Sequence, residues 1–259
     1  MSEPFLELEN VNVMRGNRHV LHDINLTVQA GEHIALLGPN GCGKSTLLKT
    51  MTCELYPLAE ENTRVRIFGR ERWDLTELKK KLGVVQNEIP GKPILKISGR
   101  DAVATGFFSS STLWPNLAIT PQMHDRVEEV MEQIDALKLR GRIFGEMSAG
   151  QQRRILIGRA LVASSGCLLL DEPSNALDLS AQRDLRELLM VLAEQGTTIL
   201  QITHHIADIV PAMNRVLLMR DGRIIADGAR SELLTAPVLS ELFETEVHLT
   251  EHNGFYHAW

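Results

Sequence analysis

The sequence has little of several features that mark particular classes of protein. It has no run of about 18 apolar residues, the length that predicts a membrane-spanning helix. Its three cysteines, Cys42, Cys53 and Cys167, lie far apart and form no C-x-x-C pair, which predicts a reducing compartment and no cysteine-based metal site. The first residues show no basic-then-apolar signal peptide. We therefore expect a cytoplasmic protein.

Positive charge is also in short supply. The 27 Lys and Arg residues are outnumbered by 33 Asp and Glu residues, and the net charge of −6 argues against a nucleic-acid partner, which needs a basic surface. Of the 259 residues, 44% are hydrophobic and 23% are charged, which is typical of a globular protein. The length suits one large domain or a domain with an insert.

The pattern of apolar residues predicts an α/β fold with a mainly parallel sheet. Alternating apolar residues at 5–13 and 24–28 predict strands of an antiparallel β subdomain at the start of the chain. Short apolar runs followed by helical patterns, at 33–50 and 167–195, predict parallel strands joined by helices. The residues from 88 to 142 predict a mostly helical insert.

Local signals predict the position of several elements. Asp221-Gly222 predicts a two-residue hairpin turn, and residues 253–259 predict a turn followed by an aromatic strand. Thr120 and Pro121 predict the first turn of a helix in the insert. Its apolar stripe consists of Val127, Val130, Met131, Ile134 and Leu137.

The stretch GPNGCGKST matches the pattern G-x-x-x-x-G-K-[ST] between a buried strand and a helix. Its glycines let the backbone curl so that successive N–H groups face phosphates. Lys44 then reaches the β- and γ-phosphates, and the Ser45 hydroxyl ligates Mg²⁺. We therefore predict a nucleoside triphosphate site that includes Gly38, Pro39, Asn40, Gly41, Cys42, Gly43, Lys44, Ser45 and Thr46.

Two further strand ends carry residues suited to phosphate chemistry. The stretch CLLLDEP ends with Asp171, which can reach Mg²⁺ through water, and Glu172, which suits a general base for the attacking water. His204 follows another buried strand, at the end where parallel sheets bind ligands, and can hydrogen-bond the γ-phosphate. We expect the adjacent His205 to have no part in the site.

The stretch EMSAGQQRR, residues 146–154, predicts a second seat for an anion. Ser148 and Gly150 open a helix, and a helix N-terminus that begins with such residues offers backbone N–H groups and a favourable dipole to an anion. One nucleotide site does not need two phosphate cradles about a hundred residues apart.

Together these residues resemble the ATP-binding cassette (ABC) ATPase family along almost the whole chain. Several separate elements match in order: the phosphate loop at 38–46, the glutamine-loop region at 86–87, MSAGQ at 147–151, LLLDE at 168–172, SNALD at 174–178, and His204. The resemblance implies an ATPase with ATP and Mg²⁺ as ligands, in which Ser45, Gln86 and Asp171 serve the metal. Lys44, Gln86, Glu172 and His204 would then be the catalytic residues.

The resemblance also explains the second seat. In this family two cassettes pack head to tail, and the signature helix of one covers the ATP held by the other. Ser148, the N–H groups near Gly150, and Asp178 would thus contact the nucleotide of a second copy of the chain. ATP would hold the dimer closed, and hydrolysis would release it.

The sequence departs from the usual family pattern at several positions. Met147 and Ala149 stand where Leu and Gly are commonest, and both keep the apolar or small character. Gln86 lies one place earlier than the common spacing and Asn87 fills the usual slot, so either amide is a candidate. Arg15 replaces the aromatic residue that usually stacks on adenine. It either stacks through its guanidinium plane or is simply solvated.

Other residues suggest weaker hypotheses. The thiol of Cys42 is open to modification in principle, although packing is the better interpretation. Arg153 and Arg154 belong either to a solvated face or to a partner contact. A metal site is disfavoured, because no firm template fits the spacing of the three histidines near the end, His248, His252 and His257.

We expect one cassette domain with three parts. Residues 1–87 and 164–235 would form the catalytic core with the β subdomain, 88–163 the helical subdomain, and 236–259 a C-terminal extension. The best hypothesis is the ATPase of a membrane transporter. The chain most resembles single-cassette ATPases grouped with metal, molybdate or siderophore uptake, and this resemblance implies an importer. It would sit on the cytoplasmic face of the membrane, bound to separate permease subunits. The alternative is an ATPase for a soluble assembly such as iron–sulfur cluster building; the cargo is not encoded here.

Overall fold

The computed structural model describes residues 4–86, 88–163 and 166–259. The strands are β1 (Pro4–Arg15), β2 (Arg18–Gln29), β3 (His33–Leu37), β4 (Arg64–Ile67), β5 (Leu82–Val85), β6 (Cys167–Asp171), β7 (Thr198–Thr203), β8 (Arg215–Arg220), β9 (Arg223–Ala229), β10 (Leu249–His252) and β11 (Phe255–Ala258). The helices are α1 (Lys44–Met51), α2 (Leu75–Lys81), α3 (Gly99–Ala104), α4 (Pro121–Gln133), α5 (Ala149–Leu161), α6 (Leu179–Glu194), α7 (Arg230–Leu233) and α8 (Ala236–Phe243).

The chain divides into two compact units. The first contains residues 1–75 and 198–259, and the second contains residues 76–197. Each unit has parallel strand pairs and helices of its own.

In the first unit, β1 pairs antiparallel with both β2 and β4, as the alternating pattern at the start predicts. Separately, β3 lies between β7 and β8 and runs parallel to both. All four residues of β3 after His33 are apolar or small, and they are almost completely buried, because a strand with parallel neighbours is covered on both faces.

The chain of the first unit turns back on itself in two hairpins. β8 and β9 are joined by Asp221-Gly222, both with positive φ as a two-residue primed turn requires. The last residues form a second hairpin, in which β11 is the predicted aromatic strand. Its partner β10 is a strand that the sequence pattern does not indicate, since most of its residues are exposed.

In the second unit, β5 and β6 form a parallel pair, and α5 packs against β5. Helix α4 begins as predicted: the Thr120 hydroxyl oxygen accepts a hydrogen bond from the Met123 N–H, with proline at the first helical position. The predicted stripe is buried as far as Ile134. Leu137 is an exception that is 43% exposed, because the helix ends at Gln133 and its periodicity stops there.

One glycine sets how closely α5 approaches β5. A Cβ atom on Gly83 would lie 2.7 Å from the carbonyl oxygen of Ala160 and 3.2 Å from that of Cys167. Both neighbours are backbone atoms, which cannot rotate away as a side chain does. The contact of the helix with the strand therefore requires glycine.

We expect Gly83→Ala to destabilise the protein by about 1–3 kcal/mol, the usual cost of overpacking a filled interior. Gly141→Ala is the matched control, because nothing lies within 4 Å of its Cβ position. Its free energy of unfolding should change by no more than about 0.5 kcal/mol. Chemical denaturation of the two variants measures both values, and equal stabilities would contradict the proposed close packing.

Candidate active site

The predicted phosphate loop runs from the end of β3 to the start of α1. Gly41 and Gly43 have φ values of 81° and 113°, in the left-handed region that glycine adopts without strain. The loop is braced from outside, since the Gly222 N–H donates to the Cys42 carbonyl over 2.8 Å. Burial raises the pKa of the Cys42 thiol, although nearby Lys44 opposes the shift, so the thiol is a poor nucleophile here.

Lys44 and Ser45 begin helix α1. The Lys44 side chain is only 5% exposed, and its ammonium donates to the carbonyl oxygens of Gly38 (2.8 Å) and Pro39 (3.0 Å). A buried ammonium needs such acceptors, and phosphate oxygens are stronger ones. The Ser45 residue is exposed at the same end of the helix. A phosphate bound in this loop would therefore compete with the two carbonyl oxygens for the Lys44 ammonium.

His204 follows β7 at the same edge as the phosphate loop. In the parallel register Leu37 pairs with Thr203, so the residues after them, Gly38 and His204, leave the sheet together. The backbone beside His204 is fixed, because the Thr203 hydroxyl donates to the buried Asp208 carboxylate (3.0 Å) and accepts from the His205 N–H (2.9 Å). The exposed His205 ring lies 3.9 Å from the His204 ring.

The second unit brings the other catalytic candidates together in the same way. Val85 pairs with Leu170 in the parallel register, so Gln86 and Asp171 lie side by side where β5 and β6 end. The alternative candidate Asn87 lies outside the described residues. The two strand ends therefore present an amide and a carboxylate to a common space.

Glu172 follows directly and has a φ of 46°, an uncommon conformation for a residue other than glycine. Its carboxylate accepts a hydrogen bond of 2.8 Å from the side-chain amide of Asn175. Asn175 was not among the predicted site residues. Its sequence signals were its position three residues after the proposed base and its place in the SNALD element at 174–178.

The predicted second seat lies within the second unit, at the start of α5. Ser148 forms a capping box with Gln151: its hydroxyl oxygen accepts from the Gln151 N–H (3.3 Å), and the Gln151 side chain accepts from the Ser148 N–H (3.1 Å). Asp178 caps α6 by accepting from the Ala181 N–H over 2.8 Å. Together they line a cavity of about 210 Å³.

Gly150 allows the two helices of this seat to meet. A Cβ atom at Gly150 would lie 2.7 Å from the Ala181 Cβ, so a larger residue would push α5 away from α6. The seat thus combines two helix N-termini and the carboxylate of Asp178.

Arg153 and Arg154 both line the cavity of the seat, and Arg153 is too buried to lie on a solvated face; a partner contact stays a prediction for both. Arg153 is 8% exposed and donates to the Gln86 carbonyl oxygen over 3.1 Å. Burial lowers the pKa of its guanidinium, and the Asp171 carboxylate opposes that shift. Arg154 donates instead to the Ile134 carbonyl oxygen over 2.8 Å.

The remaining candidates lie outside the two groups of strand ends described above. Arg15 is exposed at the end of β1, paired across the hairpin turn with Arg18. His248 pairs through its backbone with Trp259, while His252 and His257 belong to β10 and β11. Among the described residues, no group of three or more His, Cys, Asp or Glu side chains is arranged to hold a metal ion.

Comparison with known proteins decides the family. The sequence profile of the ABC transporter family matches residues 21–175, more than half of the chain. The chain belongs to the ABC transporter family. The predicted α/β cassette fold and the predicted ATPase activity are thereby confirmed.

Named relatives and a solved structure match over most of their lengths. The cobalt import ATP-binding protein CbiO of Rhodobacter capsulatus is 34% identical over 85% of this chain and 76% of its own. The hemin import ATP-binding protein HmuV of Aliivibrio fischeri is 29% identical over 97% of this chain and 95% of its own. A solved structure of a dimeric ATP-binding cassette in a post-hydrolysis state, bound to ADP and Pi, is 26% identical. It covers 86% of this chain and 98% of its own, with a TM-score of 0.70. In the described part of this ABC subunit, no helix is long and apolar enough to cross a membrane.

We expect Asn175→Ala to slow ATP hydrolysis about tenfold, because a hydrogen bond to a charged group is worth about 1.5–3 kcal/mol and here it orients the Glu172 carboxylate. ATP affinity should stay unchanged. Steady-state ATPase assays and titration with a fluorescent nucleotide measure the two quantities. The control is Asn62→Ala at an exposed asparagine in the first unit, and an Asn175→Ala rate equal to the control rate would remove the amide from the mechanism.

Proposed function

We propose that this ATPase subunit drives import of a metal or metal chelate through a membrane permease, by ATP-driven head-to-tail dimerisation of two copies. The observation that carries the proposal is the second seat, a cavity lined by Ser148, Gly150 and Asp178 whose lining residues do not include the phosphate loop. The printed functions of the cobalt and hemin relatives support import, and the dimeric cassette supports the dimer. They also favour transport over a soluble assembly.

The phosphate loop, Gly38 to Thr46, would hold the nucleotide. Lys44 would exchange its contacts with the Gly38 and Pro39 carbonyls for the β- and γ-phosphates. His204, fixed by its neighbours at the end of β7, would donate to the γ-phosphate. In the pair of copies, Ser148, Gly150 and Asp178 of the second subunit would complete each site.

The residues proposed for magnesium fit its chemistry. Ser45 offers a hydroxyl, Gln86 an amide and Asp171 a carboxylate, and Mg²⁺ prefers oxygen ligands. Bound there, Mg²⁺ would neutralise charge on the phosphate oxygens. Asn87 stays an alternative to Gln86.

Glu172 would orient and deprotonate the attacking water. The water oxygen would bond to the γ-phosphorus, the bond to the β-phosphate oxygen would break, and the water proton would pass to the Glu172 carboxylate. ADP and phosphate would then leave and the dimer would open. Asn175 would hold the carboxylate in place by the contact described above.

Three finer assignments belong to the same proposal. Arg15 would stack its guanidinium on the base in place of an aromatic ring, and its exposure at the end of β1 leaves room for this. Residues 88–163 would form the helical subdomain that receives the permease, with 236–259 as a C-terminal extension. The subunit would therefore work on the cytoplasmic face of the membrane.

Glu172→Gln should keep ATP binding and lose hydrolysis, since base catalysis contributes roughly 10²–10⁴-fold. ATP would then persist, and the protein should accumulate as an ATP-bound dimer. ATPase assays and size-exclusion chromatography with and without ATP measure both effects. Near-normal turnover in this variant would exclude Glu172 as the base.

A mixed dimer tests whether the second seat serves the other subunit. Lys44→Ala damages the phosphate loop and Ser148→Arg blocks the seat, so each homodimer should be inactive. In the mixed dimer, one site would receive both lesions and the other none, and part of the ATPase activity should return. Tagged co-purification gives the mixed dimer, and the two homodimers give the background.

A second mixture provides the control. Pairing the unmodified chain with the Lys44→Ala, Ser148→Arg double variant puts one lesion in each site if the seat acts across the dimer. That mixture should be inactive. If it is active while the first mixture is not, the seat acts within its own chain and the head-to-tail arrangement is wrong.

A further inference from the structure

Arg153 is a buried cation in the helix that begins at Ser148. It lies five residues after Ser148 in α5, lines the cavity of the seat and is 8% exposed. Its guanidinium donates to the carbonyl oxygen of Gln86, a residue 67 positions earlier in the chain. The Asp171 carboxylate is near enough to act on it electrostatically.

This contact depends on how α5 packs within the second unit. Gly83 in β5 lets the helix backbone approach at Ala160, so α5 lies directly over the strand that ends before Gln86. The same strand is in register with β6, which ends at Asp171. One guanidinium thus faces the ends of both strands.

Burying a charged side chain costs free energy unless hydrogen bonds or an opposite charge compensate it. Moving a guanidinium out of water costs several kcal/mol, and removing a partner from a buried charge is strongly destabilising. A smaller apolar residue would fill this position of the helix at less cost. The contact with the Gln86 carbonyl fixes the backbone at the point where the glutamine loop leaves the sheet.

We propose that Arg153 is a positioning residue that holds Gln86 and Asp171 in place for magnesium and joins them to the helix of the second seat. The inference rests on the proposed roles of Gln86 and Asp171. Although Arg153 also lines the cavity of the seat, its proposed effect on magnesium is exerted through the two strand ends. Its loss should weaken magnesium binding while the phosphate loop still binds ATP.

The expected size follows from other metal sites, where losing a residue that orients a ligand costs about 10- to 100-fold in metal affinity or activity. Arg153→Gln should therefore raise the Mg²⁺ concentration for half-maximal effect at least about tenfold. ATP affinity in EDTA should stay the same. Arg153→Lys keeps the charge but offers a single point of contact, so its Mg²⁺ midpoint should lie between those of the unmodified protein and Arg153→Gln.

The matched control is Arg159→Gln. Arg159 is a second largely buried arginine of α5, but its guanidinium donates to the Thr105 hydroxyl (3.0 Å) and the Ser110 carbonyl (3.0 Å). Burial lowers the pKa of this arginine as well. The Arg159→Gln variant should therefore lose stability as Arg153→Gln does, but its Mg²⁺ midpoint should equal that of the unmodified protein.

The readout is the melting temperature of each purified protein with saturating ATP during a Mg²⁺ titration, since a bound metal stabilises the folded state by mass action. Steady-state ATPase over the same titration gives kcat. The proposal expects a shifted Mg²⁺ midpoint in Arg153→Gln alone. A normal midpoint in Arg153→Gln, or an equal shift in Arg159→Gln, would overturn it; if Arg153→Gln does not fold, the Arg153→Lys midpoint decides.

Failure of the proposed function would look different. If the unmodified protein showed no Mg²⁺-dependent stabilisation with ATP, the magnesium roles of Ser45, Gln86 and Asp171 would be wrong. If the unmodified protein responded and the two arginine variants did not differ, only the role of Arg153 would be wrong.

Discussion

The register between parallel strands is the constraint on which the chemistry of this subunit depends. In the first unit, pairing of Leu37 with Thr203 makes the phosphate loop and His204 leave the sheet at one edge. In the second unit, pairing of Val85 with Leu170 does the same for the residues that follow β5 and β6. A shift by one residue would turn every side chain to the opposite face, so buried apolar strands hold the site in place.

Two buried cations use main-chain carbonyls in different ways. The Lys44 ammonium donates to the carbonyls of Gly38 and Pro39, which lie six and five residues earlier in the loop that curls around it. In the proposed mechanism, a phosphate that enters this loop would replace these carbonyls as acceptor of the Lys44 ammonium without a change in fold. The carbonyl that Arg153 contacts belongs to a different strand end, so this contact joins two elements and cannot be exchanged without moving one of them.

Short-range patterns made much of this molecule predictable from its sequence. The phosphate loop, the Ser148 and Thr120 caps and the β8–β9 turn each depend on residues within a few positions, and the structure contains each of these elements. Contacts over longer distances were not predictable. The burial of Arg153 follows from the packing of α5 on β5. Leu137 fits the periodic pattern of α4 but is exposed, because the helix ends before it.

Close packing makes the second seat and the strand ends of the second unit parts of one body. Gly150 brings α5 against α6, and Gly83 brings the same helix against β5, so the helix has little freedom to slide on either neighbour. In the proposed dimer, a nucleotide phosphate in contact with Ser148 would act on this body as a whole. It can change the strand ends only through contacts that differ between the two states of the dimer. Since α5 carries both Ser148 and the arginine bonded to Gln86, a movement of the helix favoured by such a phosphate would reach Gln86 through a direct hydrogen bond.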